Sequence, residues 1–114
     1  MFKIKFDDKK LLSRIAAIEA DADKIANEVA SNLGAIVQSN ARRYVPVDTG
    51  SLKKSITMEV KDDTASIGTP LDYAPHIEYG TVKQAPKPFL SPALEDARRV
   101  ADKIAQEVVK KYVK

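Results

Sequence analysis

The sequence predicts an α+β fold in which a long N-terminal helix and a C-terminal helix pack on a small antiparallel sheet. Apolar and polar residues alternate over residues 2–6 and 56–60, which is the period of a half-buried strand. Apolar residues recur every three or four positions over residues 11–36 and 94–112, which is the period of a helix with one buried face. A length of 114 residues suits one domain, which we place at residues 1–114.

The N-terminal third begins with the strand at residues 2–6 and continues as the long helix. The apolar stripe of that helix consists of Leu11, Ile15, Ile18, Ala22, Ile25, Val29, Leu33 and Ile36. If unbroken to Arg43, the helix is about 50 Å long, which is more than a 12.5 kDa protein covers alone. A break near residues 19–23, or a partner chain that covers the exposed part of the helix, would account for the excess length. Pro46 prevents further continuation.

A turn and a β-hairpin follow the long helix. In the turn, we expect Asp48 and Thr49 to hydrogen-bond to the local backbone and Gly50 to take a positive φ. The segment after this turn is a short helical turn or the entry to a strand. The alternation over residues 56–60 then predicts a strand, which two aspartates connect to a return strand at residues 64–68.

Residues 69–92 are predicted to be a long loop rich in proline and aromatic residues. The segment holds five of the six prolines and three of the seven aromatic residues, and so long an irregular segment is usually functional or disordered. Gly80 permits a sharp reversal of the chain and is a predicted structural turn. The interface candidates are Tyr73, Tyr79, Pro88 and Phe89. Aromatic rings are enriched at interfaces but also dominate cores, so both roles stay open.

The C-terminal helix is predicted to start at Ser91 and Pro92. Serine is a favourable N-cap and proline suits the first helical position, while Glu95 and Asp96 favour the positive end of the helix dipole. The helix ends with lysines, which suit its C-terminal end.

Composition excludes several classes of function. The chain has no cysteine and one histidine, so it has no disulfide, no thiolate metal site and no cysteine nucleophile. The single histidine leaves little for metal binding or proton transfer, so many enzyme classes are excluded, and we expect no cofactor and no metal. No signal peptide or apolar run of membrane-spanning length is present, so we expect a protein made in the cytosol with no membrane contact.

The net charge of +3 does not by itself indicate a nucleic-acid partner. Basic and acidic residues balance over residues 1–40, and acids lie close to most of the basic pairs in the remainder. A mixed-charge surface is therefore favoured, and we expect no direct contact with DNA. A small basic nucleic-acid-binding domain is kept as an alternative.

Two short motifs suggest chemistry. Asp48-Thr49-Gly50 is also the triplet of dimeric aspartic proteases, in which each chain supplies one aspartate of the catalytic pair. The all-β framework of such proteases is not predicted, so the protease is an alternative only. His76 with Asp72 and Glu78 offers two or three metal ligands, but a catalytic zinc site usually has more histidines, so a surface histidine is favoured.

Three linked blocks resemble one known family. Residues 46–56 (PVDTGSLKKSI) resemble its "P-x-D-T-G-x-L-x-x-S" block, and residues 73–81 (YAPHIEYGT) resemble its "Y-A-x-x-x-E-x-G-T" block. Residues 88–94 (PFLSPAL) resemble its "P-F-L-x-P-A" block. The family is the bacteriophage minor tail component typed by gene product ten of the lambdoid phage HK-ninety-seven.

The resemblance implies a structural virion protein of a tailed bacteriophage or prophage. It implies an α+β fold, no catalysis and no small-molecule substrate. The function implied is tail completion or head–tail joining, with a homo-oligomeric ring at the neck or tail end and phage neck and tail proteins as partners. The location implied is the virion, with the host cytoplasm during assembly.

Overall fold

A computed structural model gives the structure of residues 1–6, 22–46 and 50–112. Within these residues, strands and helices follow one another in an order that confirms the α+β prediction. They are β1 (Phe2–Phe6), α1 (Ala22–Tyr44), α2 (Gly50–Ser55), β2 (Thr57–Lys61), β3 (Thr64–Thr69), α3 (Ala74–Tyr79) and α4 (Leu90–Tyr112).

The three strands form an antiparallel sheet in the order β1-β3-β2. Ile67 of the central strand lies opposite Ile4 on one side and Met58 on the other. Ile67 is fully buried, and the other two are partly buried against the same core. The lysines of β1 are exposed, as the alternation predicts for the opposite face. The predicted hairpin is also confirmed, and its turn holds Asp62 at a φ of 54°.

Helix α1 packs against the core face of the sheet and approaches it most closely at Gly34. A Cβ atom at this position would lie 2.7 Å from the sulfur of Met58 and 2.9 Å from the Cβ of Ala65. Protein interiors do not accommodate such short contacts. A glycine therefore lets the helix lie directly on strands β2 and β3.

The C-terminal half of α1 is also tied to the start of β2. The side chains of Gln38 and Arg42 each donate a hydrogen bond to the carbonyl oxygen of Ile56, both at 3.0 Å. These bonds satisfy a backbone acceptor at the junction of α2 and β2. The helix ends at Tyr44, two residues before Pro46, where the sequence predicts its end.

Helix α4 runs antiparallel to α1 and forms a second core with it. Glu28 near the start of α1 meets Lys111 near the end of α4 at 3.1 Å, while Tyr44 donates a hydrogen bond of 2.6 Å to Asp96 at the opposite end. The buried residues between the helices are Ile25, Val29, Leu33, Ala101, Ala105 and Val108. Within the described residues, Ile25, Val29 and Leu33 of the predicted α1 stripe are buried. The first three residues of that stripe lie outside the described part of the chain. No helix in the described part of the chain is long and apolar enough to cross a membrane.

The structure differs from the sequence prediction in two elements. The segment 69–92 is not irregular throughout, because it contains the helix α3. Helix α4 starts at Leu90, so Pro92 is its third residue and not its first, and Ser91 lies inside the helix. The start of the long helix and its expected break fall on residues 7–21, which lie outside the described residues.

Candidate interaction surface

Helix α3 is a short helix that ends in a glycine. Pro75 lies in its first turn, where a missing N–H costs nothing. Gly80 follows the helix with φ 78° and ψ 176°, and its N–H donates to the carbonyl oxygen of His76 at 2.9 Å. A Cβ atom on Gly80 would lie 2.7 Å from the backbone nitrogen of Pro86. Both the positive φ and this close approach require glycine.

Glu78 of α3 is buried and holds the start of α4. The residue is only 4% exposed to solvent. Oε1 accepts the backbone N–H of Phe89 at 3.0 Å and of Leu90 at 2.8 Å. Oε2 accepts the backbone N–H of Ser91 at 3.3 Å and its hydroxyl at 2.8 Å. The N–H groups at a helix start lack partners within the helix, and the helix dipole favours a negative charge there. Glu78 therefore caps α4 from another element.

The cap explains why the predicted start of α4 is wrong. We assigned the capping role to Ser91, whose hydroxyl instead donates to Glu78. Because the helix starts at Leu90, Glu95 and Asp96 lie beyond its first turn, which contains no acidic residue of its own. The sequence offers Glu78 as a metal ligand with His76, which is exposed, and as the glutamate of the second family block. The described residues contain no group of three or more residues that could hold a metal ion.

Residues 80–88, which we call the projecting loop, are held in a defined conformation. Thr81 and Gln84 exchange two backbone hydrogen bonds of 2.8 and 3.3 Å across a tight turn. Lys87 donates its N–H to the carbonyl oxygen of Ile77 at 2.8 Å, which fastens the returning chain to α3. All residues from 81 to 88 are exposed. Val82 at the tip is fully exposed, with a relative accessibility of 104%.

The four interface candidates do not share one environment. Tyr79 is 69% exposed and lies beside the projecting loop, with its ring edge-on to Phe2 at 5.8 Å. Tyr73 at the other end of α3 is 39% exposed, and Pro88 is exposed. Phe89 is completely buried, with its ring 6.4 Å from that of Phe2. Phe89 is therefore a core residue. Its backbone N–H donates to the buried Glu78, so the chain returns to the core at this position.

The projecting loop carries positive charge only. Lys83 and Lys87 are both exposed, and no acidic residue lies between Glu78 and Glu95. Since Glu78 is buried under the start of α4, it does not offset these lysines at the surface. The loop therefore presents one apolar residue at its tip and two cations beside it. Such a surface suits a partner with an apolar pocket and acidic groups around it.

The predicted turn at residues 48–50 is only partly described. Asp48 and Thr49 lie outside the described residues, so their turn roles stay predictions. Gly50 is the first residue of α2, and a side chain there would meet nothing within 4 Å. A helical residue has a φ of about −63°, so the expected positive φ at Gly50 is wrong.

Arg42, Arg43 and Lys53 line a cleft of about 340 Å³ beside α1. The rest of its lining consists of Ala35, Gln38 and Ser39, with no carboxylate. The expectation that acids lie close to most basic pairs does not hold at this place. The cleft is a feature of the described residues that favours the nucleic-acid alternative.

Comparison with known families gives one match. A family model described as "Bacteriophage HK97-gp10, putative tail-component" matches residues 9–80. The match includes the first block and all but the last residue of the second, and it ends at the glycine that terminates α3. No match was found among curated proteins or solved structures.

Proposed function

Because the chain belongs to the HK97-gp10 family of bacteriophage tail components, we propose that it completes the tail or joins it to the head. In this proposal, copies of the chain assemble into a ring at the neck or tail end, and the ring binds phage neck and tail proteins. As a tail component the protein is part of the virion. The proposal adds that it is present in the host cytoplasm during assembly.

The observation that carries this proposal is the projecting loop. An assembly protein needs surfaces that are exposed before the partner arrives, and a loop already held in one conformation loses less entropy when it docks. The loop is fixed at its turn by the Thr81–Gln84 pair and at its return by the bond from Lys87 to Ile77. Its exit is fixed by Glu78 at the start of α4. We propose that Val82, Tyr79 and Pro88 contact the partner there.

The chemistry of the buried acid supports a structural role over a catalytic one. Glu78 accepts four hydrogen bonds from groups at the start of α4. A carboxylate engaged in this way supports the fold and is not presented to a substrate. We therefore propose that the protein is not an enzyme.

The experiment is native mass spectrometry with negative-stain imaging of the purified chain, alone and mixed with tail-tube protein. We expect rings in at least one of these samples. Lys83→Glu should weaken binding to the tail-tube protein, since it reverses charge beside the loop tip. Lys103→Glu is the matched control, because Lys103 is an exposed lysine on α4 outside the loop. Persistent monomers that bind no neck or tail protein would contradict the proposal.

The aspartic protease alternative is supported only by the Asp48-Thr49-Gly50 triplet. The described strands form a three-stranded sheet with helix α1 on its core face, whereas the protease requires a β-rich cleft that holds two aspartates together. The absence of peptide cleavage at acidic pH by the parent protein would end this alternative, and cleavage that Asp48→Asn abolishes would support it.

The basic cleft supports nucleic-acid binding as a second candidate function. A protein that neutralises phosphates with arginine and lysine binds duplex DNA less tightly as the salt concentration rises. Replacing Arg43 and Lys53 by glutamine should then reduce both the affinity and the salt dependence. No binding to duplex DNA at low salt would discard this candidate.

A further inference from the structure

The sheet has two open edges. Among the described residues, β1 and β2 each pair with β3 on one side only. Each is five residues long, neither contains proline, and both pairings with β3 run in register without a bulge. Natural proteins usually protect such edges with proline, bulges, a covering element or charges. Here the protection present in the described residues is charge.

The charges on the two edges are of opposite sign. Lys3 and Lys5 lie on the outer face of β1. Glu59 lies on the same face of β2, and the turn that follows, residues 62–63, adds two aspartates. Lys61 is the single cation beside these three acidic residues, so the charge at this edge is negative overall. Within the described residues, no ion pair joins any of these groups to another. A positive edge and a negative edge therefore stand at opposite sides of one sheet.

The inner face of both edges is apolar and partly exposed. Phe2 and Ile4 of β1 and Met58 and Val60 of β2 are partly buried side chains packed against the main core. A strand added at either edge would cover the part of these side chains that remains accessible. Burial of apolar area is favourable in proportion to that area.

We propose that β1 of one copy pairs with β2 of the next copy, so that the sheets join into one continuous sheet around the ring. The inference rests on the homo-oligomeric ring proposed above. A ring requires a heterologous interface, in which two different surfaces of the chain meet. Both β1 and β2 run antiparallel to β3 and hence parallel to each other. Rotation about the ring axis preserves strand direction and face, so this contact is a parallel pairing.

The pairing joins the complementary features of the two edges. In the register of the sheet, Lys5 and Glu59 both lie opposite Ser66 and therefore share the outer face. In the ring, Lys5 of one copy lies beside Glu59 of the next, and opposite charges on neighbouring strands attract. On the inner face, Ile4 lies beside the apolar residues of the next β2. Pairing of two β1 edges would instead bring lysines together.

Cysteine cross-linking tests the pairing directly, because the chain has no cysteine of its own. The double variant Lys5→Cys/Glu59→Cys, oxidised to form disulfides, should give a ladder of covalent multimers. Within one copy these positions flank β3 and lie about 10 Å apart, which is too far for a disulfide inside the copy. Each single variant should give monomers, since only unlike edges meet. The matched control is Lys103→Cys/Glu59→Cys, which carries the same number of thiols but has one of them on α4.

Charge reversal gives the second test. Glu59→Lys should raise the concentration for half-assembly about fivefold or more, because it places like charges on adjacent strands at each interface. Lys5→Glu/Glu59→Lys should restore assembly, and thermal unfolding should show that all variants remain folded. If Glu59→Lys still forms rings and the cysteine pair gives no cross-linked multimers, the proposed edge pairing is wrong but the proposed ring is retained. A parent protein that stays monomeric at all concentrations and with tail-tube protein would overturn both.

Discussion

The carboxylate of Glu78 is expected to be the most important polar group for stability in the described structure. In Glu78→Gln the side-chain shape is kept but the negative charge and one acceptor oxygen are lost. The remaining oxygen can still accept the N–H groups of Phe89 and Leu90, now as neutral hydrogen bonds. The new amide group faces Ser91, whose N–H it cannot accept, so that donor loses its partner.

The magnitude follows from the three backbone hydrogen bonds. A hydrogen bond to a charged group contributes about 1.5–3 kcal/mol and a neutral one about 0.5–1.5 kcal/mol, so each of the two N–H bonds that remain loses about 1 kcal/mol. The unsatisfied N–H of Ser91 adds about 1 kcal/mol. The free energy of unfolding should therefore fall by about 2–4 kcal/mol, which is a large part of the 5–15 kcal/mol typical of a domain.

Urea unfolding followed by circular dichroism measures this loss. The midpoint should move down by about 1–2 M urea, at the slopes usual for small domains. The matched control is Glu95→Gln, because Glu95 is also near the start of α4 but its side chain is 60% exposed and paired with Arg98 at 2.9 Å. An exposed pair contributes at most about 1 kcal/mol. Equal midpoints for the two variants would refute the capping role of Glu78.

Three further predictions concern glycines and a tyrosine. Gly34→Ala should lower the free energy of unfolding by about 1–3 kcal/mol in urea titration, because the added Cβ overpacks the helix–sheet contact. At φ 78° and ψ 176° Gly80 occupies a region essentially restricted to glycine, so Gly80→Ala should lower it by about 1–3 kcal/mol from backbone strain alone. Gly50→Ala, with open space, should not; equal effects would contradict this. The hydrogen bond to Asp96, together with desolvation and the carboxylate charge, raises the pKa of Tyr44 above its usual value of 10.0. The stabilisation that Tyr44→Phe removes should therefore be constant from neutral pH up to about pH 10 and should disappear as the pH rises through the raised pKa; a difference that persists above it would refute this.

The elements set by local periodicity could be predicted from the sequence. The alternation around Ile4 and Met58 gave strands with the correct buried face. The helical spacing of Ile25, Val29 and Leu33 gave the buried stripe of α1. In each case the signal lies within a few neighbouring residues, and burial of one face is enough to explain it.

The capped start of α4 could not be predicted in the same way. Glu78 and the N–H groups it accepts are separated by 11 to 13 residues and by the projecting loop. Local rules favoured Ser91 and Pro92 as the helix start, because they do not consider a cap from another element. Helix α3 was also missed, since five prolines in residues 69–92 indicated an irregular segment. Yet Pro75 suits a first helical turn.

The family match and the cap together divide the molecule into two parts. The matched region covers residues 9–80, so β1, helix α4 and all of the projecting loop except Gly80 lie outside it. Glu78 lies just inside the match, and it is the residue that fastens the start of α4 to the matched part. A loop held at both ends by the framework can change its exposed residues at little cost to the core, because those residues make few contacts with it. We therefore expect the sheet edges to govern the pairing of like copies and the projecting loop to govern the choice of tail partner.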